Sequence, residues 1–95
     1  MRIDNDLSDN CTVIEVFTID RRGLLYRLAR AMHDLGLVIR FAKIGTYLDQ
    51  VVDVFYVTER DERKLEGEAR LRQIRDALKA VITPAGNVAD TLRVP

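Results

Sequence analysis

The chain has 95 residues, 47 % of them apolar, which suits one small domain with a single core and is too apolar for a disordered chain. Lysine plus arginine equals aspartate plus glutamate at 15 each, so no net field draws it to nucleic acid or to an anionic lipid surface. Cys11 is alone, which excludes an internal disulfide and a thiolate cage for a metal; no apolar run approaches the ~20 residues that span a bilayer.

The charged start Met1-Arg2-Ile3-Asp4 is not a signal peptide, and a reduced, cytoplasmic chain is the simplest expectation. Met1 to Ile3 can form a short strand, and residues 4–10, mostly polar, read as the loop after it. Thr12 to Ile19 is the first well-marked strand, rich in β-branched residues. Ile14, Val16 and Thr18 share one face; Val13, Glu15, Phe17 and Ile19 share the other. Apolar residues on both faces predict that the second meets another layer or another chain.

From Gly23 to Leu35 the period becomes helical, with Leu24, Leu25, Leu28, Ala31, Met32 and Leu35 on one stripe. Gly36 stands where a left-handed residue ends a helix, with Leu37 placed to pack back on the last turn. His33-Asp34 has no companion ligands and reads as helix surface rather than a metal site. Leu37 to Tyr47 returns to strand chemistry, and Gly45 within it predicts a bulge or a close approach of another group. Leu48-Asp49-Gln50 reads as a hairpin connection, followed by a strand from Val51 to Thr58. The charge run Glu59 to Lys64 reads as a solvated loop. A last helix is predicted over Glu66 to Val81, with Leu71, Ile74, Leu78 and Val81 inward and with Glu66–Arg70 and Glu68–Arg72 one turn apart. Residues 83–95 show no usable period and read as a poorly ordered tail.

Strand, helix, strand, strand, helix, with one apolar face per helix, predicts an α+β two-layer sandwich of ferredoxin-like type. Its antiparallel four-stranded sheet carries both helices on one face. Pro84 and Gly86 stand where the fourth strand would normally begin, so the N-terminal segment is the better source of that strand. The expected division is a strand and loop over 1–10, the domain proper over 11–82, and the tail over 83–95.

The turn Asp20-Arg21-Arg22-Gly23-Leu24-Leu25 joins the first long strand to the first helix. A helix N-terminus offers unpaired N–H groups and a favourable dipole to an anion, and two arginines stand beside it. The hypothesis is a small-zwitterion receptor: the amides of Gly23, Leu24 and Leu25 take a carboxylate with help from Arg21 or Arg22, and Asp20 accepts from an ammonium group. The plainer account makes Asp20 an N-cap, worth about 0.5–2 kcal/mol, and the arginines solvent-facing. With one histidine, one cysteine and no glycine-rich phosphate cradle, no catalytic nucleophile, base, metal site or cofactor site assembles. Val51 to Tyr56 also lacks the basic-glycine-aromatic pattern of RNA-recognition strands.

The run Thr12-Val13-Ile14-Glu15-Val16 with Asp20-Arg21-Arg22-Gly23-Leu24-Leu25 resembles the first strand and turn of the ACT domain, a ligand-sensing module of metabolic enzymes. Lys43-Ile44-Gly45-Thr46 is similar to its second-strand motif, and Asp53-Val54-Phe55-Tyr56-Val57-Thr58 to its third strand. That third run is especially similar to ACT domains at the carboxy terminus of nucleotidyltransferases of nitrogen regulation. The resemblance covers Thr12 to Thr58 and departs at Arg22, where the family usually has a proline that fixes φ in the turn. It implies an amino-acid ligand, glutamine, held by Asp20, Arg21, Arg22, Gly23, Leu24, Leu25, Gly45 and Thr46. It also implies a homodimer or a neighbouring ACT domain as partner, and attached catalytic domains to regulate. The competing expectation is a module of the same fold that dimerises through sheet edges, or through the faces around Phe17 and Tyr56, without a ligand.

Overall fold

Alternation in the strands and three-to-four spacing in the helices converge on a single apolar layer. In a computed structural model that describes residues 1–18, 23–47 and 50–82, with the backbone alone at 46 and 47, the elements in chain order are β1 (Arg2–Asp4), β2 (Thr12–Thr18), α1 (Leu24–Asp34), β3 (Val38–Tyr47), β4 (Gln50–Thr58) and α2 (Glu68–Ile82). The sheet is antiparallel in the order β1-β2-β4-β3. β2 and β3 are therefore parallel to each other with β4 between them, and α1 links them. The fourth strand does come from the N-terminal segment: Ile3 faces Ile14 and Asp4 faces Val13.

The register assigns the faces. Thr12, Ile14, Val16 and Thr18 of β2 lie level with Val57, Phe55, Asp53 and Val51 of β4, and this row faces the helices. Ile14, Val16, Phe55 and Val57 form one cluster with Leu24, Leu28 and Met32 of α1 and with Ile74 and Leu78 of α2. The helical stripes are thus as the spacing predicts, apart from Leu25, which is exposed. Gly36 has φ +82, and the amides of Gly36 and Leu37 donate to the carbonyls of His33 and Met32, both at 2.9 Å. Leu37 is buried, so α1 ends in the glycine-centred motif its sequence announces.

Three local expectations change. The ladder runs without interruption through Gly45, and the irregularity lies between Ile39 and Phe41 instead. Among the described residues nothing comes within 4 Å of a Cβ built on Gly45, so no close neighbour of that kind meets it. Arg70 does not pair with Glu66, which precedes the helix and so lacks the one-turn spacing. Its Nε and Nη2 donate to the two carboxylate oxygens of Glu59 at 2.9 and 2.8 Å, Nη2 also reaches the Leu35 carbonyl at 2.8 Å, and Nη1 reaches Gln73 at 3.0 Å. The hydrogen bonds that Arg70 donates to Glu59 raise its pKa above the ordinary value. The charge run is accordingly anchored at both ends: Glu59 holds α2, and Lys64 donates to the Asn5 carbonyl at 2.6 Å, beside the fully buried Leu65.

Candidate functional site

The turn that the sequence singles out leads into α1. Asp20, Arg21 and Arg22 fall outside the described residues; Gly23, Leu24 and Leu25 fall within them. The N-cap is Gly23, with φ +77 and ψ 0, and among the described residues no side chain hydrogen-bonds at the cap. Glycine is therefore needed here for a left-handed backbone, which an L side chain adopts only at a cost of roughly 1–2 kcal/mol. Gly23 closes the first turn through its carbonyl, which accepts from the Arg27 amide at 3.0 Å. Leu24 is buried beneath the helix, while Leu25, at the same end, is exposed. A small anion can use amides of this kind.

The other predicted ligand residues lie on β3, the far edge of the sheet. Gly45 faces Val52 on the outer side, and Thr46 pairs through its backbone with Val51. The register sets Thr46, Val51 and Thr18 in one row across the sheet, at the end where β2 hands over to α1. The structure therefore brings the start of α1 and the end of β3 to the same end of the molecule, with β4 between them.

Two polar groups at that end were not among the predicted site residues. Asp53 is 3 % exposed and sits in the row Val16–Asp53–Ile44 on the helix side. It is engaged in an interaction within the chain. Thr18, in the terminal row, is 9 % exposed, and its hydroxyl has no hydrogen-bond partner among the described residues. The signal for Asp53 was present: an acid stands in phase with Phe55 and Val57 on the core side of β4. Beside it the helical layer stops short, because Ala42 and Ile44 of β3 are exposed on the same side, Ile44 by 57 %.

The opposite face of the sheet has a different chemistry. Phe17 and Phe41 are 45 % and 54 % exposed there. Phe41 and Tyr56 stack edgewise with ring centres 5.7 Å apart at 59°, and Lys43 Nζ stands 5.8 Å from the Tyr56 ring centre and 6.0 Å from that of Phe41. Arg2 pairs with Glu15 at 2.6 Å on this face. A groove of about 260 Å³ on the helical layer, lined by Tyr26, Arg27, Arg30, Ala31, Asp34 and Val81, contains none of the predicted ligand residues. Arg30 is held there by Asp34 at 3.2 Å, which raises its guanidinium above the ordinary value. Among the described residues no helix is long and apolar enough to cross a membrane.

Comparison with known proteins places this geometry in a family. Residues 1–94 match the family described as an ACR9-like, ACT-like domain. The chain is 44 % identical over 81 residues to the bifunctional uridylyltransferase/uridylyl-removing enzyme of Rhodospirillum rubrum, covering 85 % of this chain and 9 % of that protein. It is 50 % identical over 76 residues to the enzyme of the same name from Azospirillum brasilense, covering 80 % and 8 %. With the one from Ruegeria pomeroyi it shares 48 % identity over 80 residues, covering 84 % and 9 %. The chain thus spans less than a tenth of the length of these relatives. No solved structure matches it. A split strand-helix-strand unit, two helices on one face of an antiparallel sheet, and a sequence match along nearly the whole chain agree: this protein belongs to the ACT-like domain family.

Proposed function

We propose that the chain is a regulatory amino-acid-binding domain, with glutamine as its ligand, that controls catalytic domains of uridylyltransferase type. The observation that carries the proposal is the left-handed Gly23 cap, where among the described residues no side chain hydrogen-bonds at the start of α1. In this reading the α-carboxylate of the amino acid takes the amides around Gly23, Leu24 and Leu25. Arg21 or Arg22 adds a cation, Asp20 accepts from the ammonium group, and Gly45 and Thr46 close the site from β3. Glutamine, rather than another amino acid, rests on similarity to enzymes named uridylyltransferase/uridylyl-removing enzyme. Binding can bias attached domains only as far as affinity differs between their states.

A thermal-shift screen of the amino acids, followed by calorimetry, tests this. Glutamine is expected to raise the midpoint selectively; at about 100 times its Kd it stabilises the fold by about 2.7 kcal/mol. Asp20→Ala is expected to weaken binding with little change in stability, whereas lost stability with unchanged affinity points to a purely local role. A flat response to every amino acid overturns the sensing reading. The second reading is a ligand-free module that associates with another copy. Phe41 and Ile44, exposed on opposite faces of β3, and Phe17, exposed on β2, favour it. Under that reading Ile44→Lys lowers self-association in sedimentation runs, while amino acids leave the midpoint unmoved.

A further inference from the structure

Both helices pack on one face of the sheet, and the other face carries an apolar strip with charges beside it. Val52, Val54 and Tyr56 of β4 lie along its middle, flanked by the exposed rings of Phe17 on β2 and Phe41 on β3. A sheet face that meets only water carries mostly polar side chains, and this strip does not. The register shows how the strip can match itself. In one row Glu15 and Lys43 stand on either side of Val54, their backbones about 9–10 Å apart, which is two strand spacings. Glu15 pairs with Arg2 at the outer edge. Lys43 leans over the Phe41 and Tyr56 rings and has no ion-pair partner among the described residues. In the next row towards the α1 end, Phe17 and Gly45 stand on either side of Val52. One side of that row carries a large ring and the other carries no side chain.

We propose that this face pairs with the same face of a second copy of the chain, about a two-fold axis that runs along β4. Such an axis exchanges the two sides of β4. Each Glu15 then faces Lys43 of the other copy, each Phe17 ring lies over the other copy's Gly45, and Val52 and Val54 meet their counterparts. A patch that complements itself in this way closes as a dimer, because every contact is made twice. An axis across the strands through the same row would instead set Glu15 on Glu15 and Lys43 on Lys43, with like charges opposed. The axis along β4 also leaves the strands of the two copies nearly aligned, the ordinary arrangement of stacked sheets. The ring meets the outward side of Gly45, whereas the amino-acid site proposed above lies towards α1, on the other side of the sheet. The pairing therefore stands whether or not an amino acid binds, and it gives Ile44, on the helix side, no part.

Sedimentation equilibrium on the 95-residue chain, without added amino acid, is the test. The unaltered chain is expected to form a dimer as its concentration rises. Lys43→Glu opposes two carboxylates and Glu15→Lys opposes two ammonium groups, so each alone is expected to weaken the dimer by about tenfold or more. Mixed in equal amounts, the two variants are expected to pair with each other at close to the original strength, because the mixed dimer restores both unlike contacts. Gly45→Val adds a side chain that the single chain has room for and that suits a strand, but that meets the incoming ring. It is expected to hold the unfolding midpoint in dilute solution and to weaken the dimer. Ile44→Lys is expected to leave the dimer unchanged. A monomer at every concentration overturns the inference, as does a mixture of the two charge variants that fails to pair. If Ile44→Lys alone weakens association, the copies meet on the helix side, and this inference falls while the ligand-free reading stands. A lower midpoint for Gly45→Val in dilute solution means that the chain's own residues fill the face, which overturns it equally.

Discussion

The Thr12 hydroxyl donates to Asn5 Oδ1 and accepts from the Leu65 amide at 2.8 Å, while Asn5 Nδ2 donates to the Leu65 carbonyl at 2.8 Å. One small side chain thus joins the loop after β1, the start of β2 and the approach to α2, and every polar group in the knot is satisfied. Replacing Thr12 by valine keeps the shape and leaves the buried Leu65 amide and the part-buried Asn5 Oδ1 without this partner. The expected cost is about 1–3 kcal/mol, read as a lower urea midpoint with an unchanged slope. A change below a few tenths of a kcal/mol would mean that water replaces the hydroxyl. At this scale the sequence was least legible. Nothing in Thr12 or Leu65 announces a partner more than fifty positions away, and Asp53 reads as an ordinary acid until the faces of β4 are assigned. Gly36 and Leu37 were readable because both of their hydrogen bonds close within a single helical turn and a half.

Elements meet mainly through apolar surfaces, and one polar junction fixes how α2 approaches them. Arg70 grips Glu59 at the end of β4 with two parallel hydrogen bonds and also takes a carbonyl at the end of α1. Planar forks of this kind are worth more than exposed ion pairs, because geometry as well as charge is matched. In a double-mutant cycle of Arg70→Ala and Glu59→Ala, a coupling of about 1 kcal/mol is expected, with Arg70→Lys recovering only part of it. Additive losses would reduce Arg70 to a packing residue. The partner raises the Arg70 guanidinium, so its contribution is complete below the unfolded value and declines only as pH climbs through the folded one, far on the alkaline side. The strands and helices themselves were legible because alternation and helical spacing are local signals. The partner of Arg70 was not: one-turn spacing suggested Glu66, and only the true start of α2 at Glu68 removes that option.

At the scale of the whole molecule, the sheet closes with a strand taken from the front of the chain. β1 and β2 are joined by residues 5–11, and β3 and β4 by an equally local hairpin, so β2 with β4 is the distant pairing in the sheet. In the usual ferredoxin-like order the strand beside β2 would arrive only after both helices had been threaded. Taking it from the amino end replaces a long loop closure with a short one, and the entropy lost before contact is made falls accordingly. Folding speed tracks such sequence separations more closely than it tracks stability. If residues 1–10 are moved behind residue 95 on a flexible linker, the sheet is expected to re-form with its native register while refolding, followed by stopped-flow circular dichroism, becomes several-fold slower. An unchanged rate would mean that the β1–β2 hairpin forms after the rate-limiting barrier. The place from which the fourth strand is drawn therefore governs how quickly the domain is made, and leaves its finished shape the same.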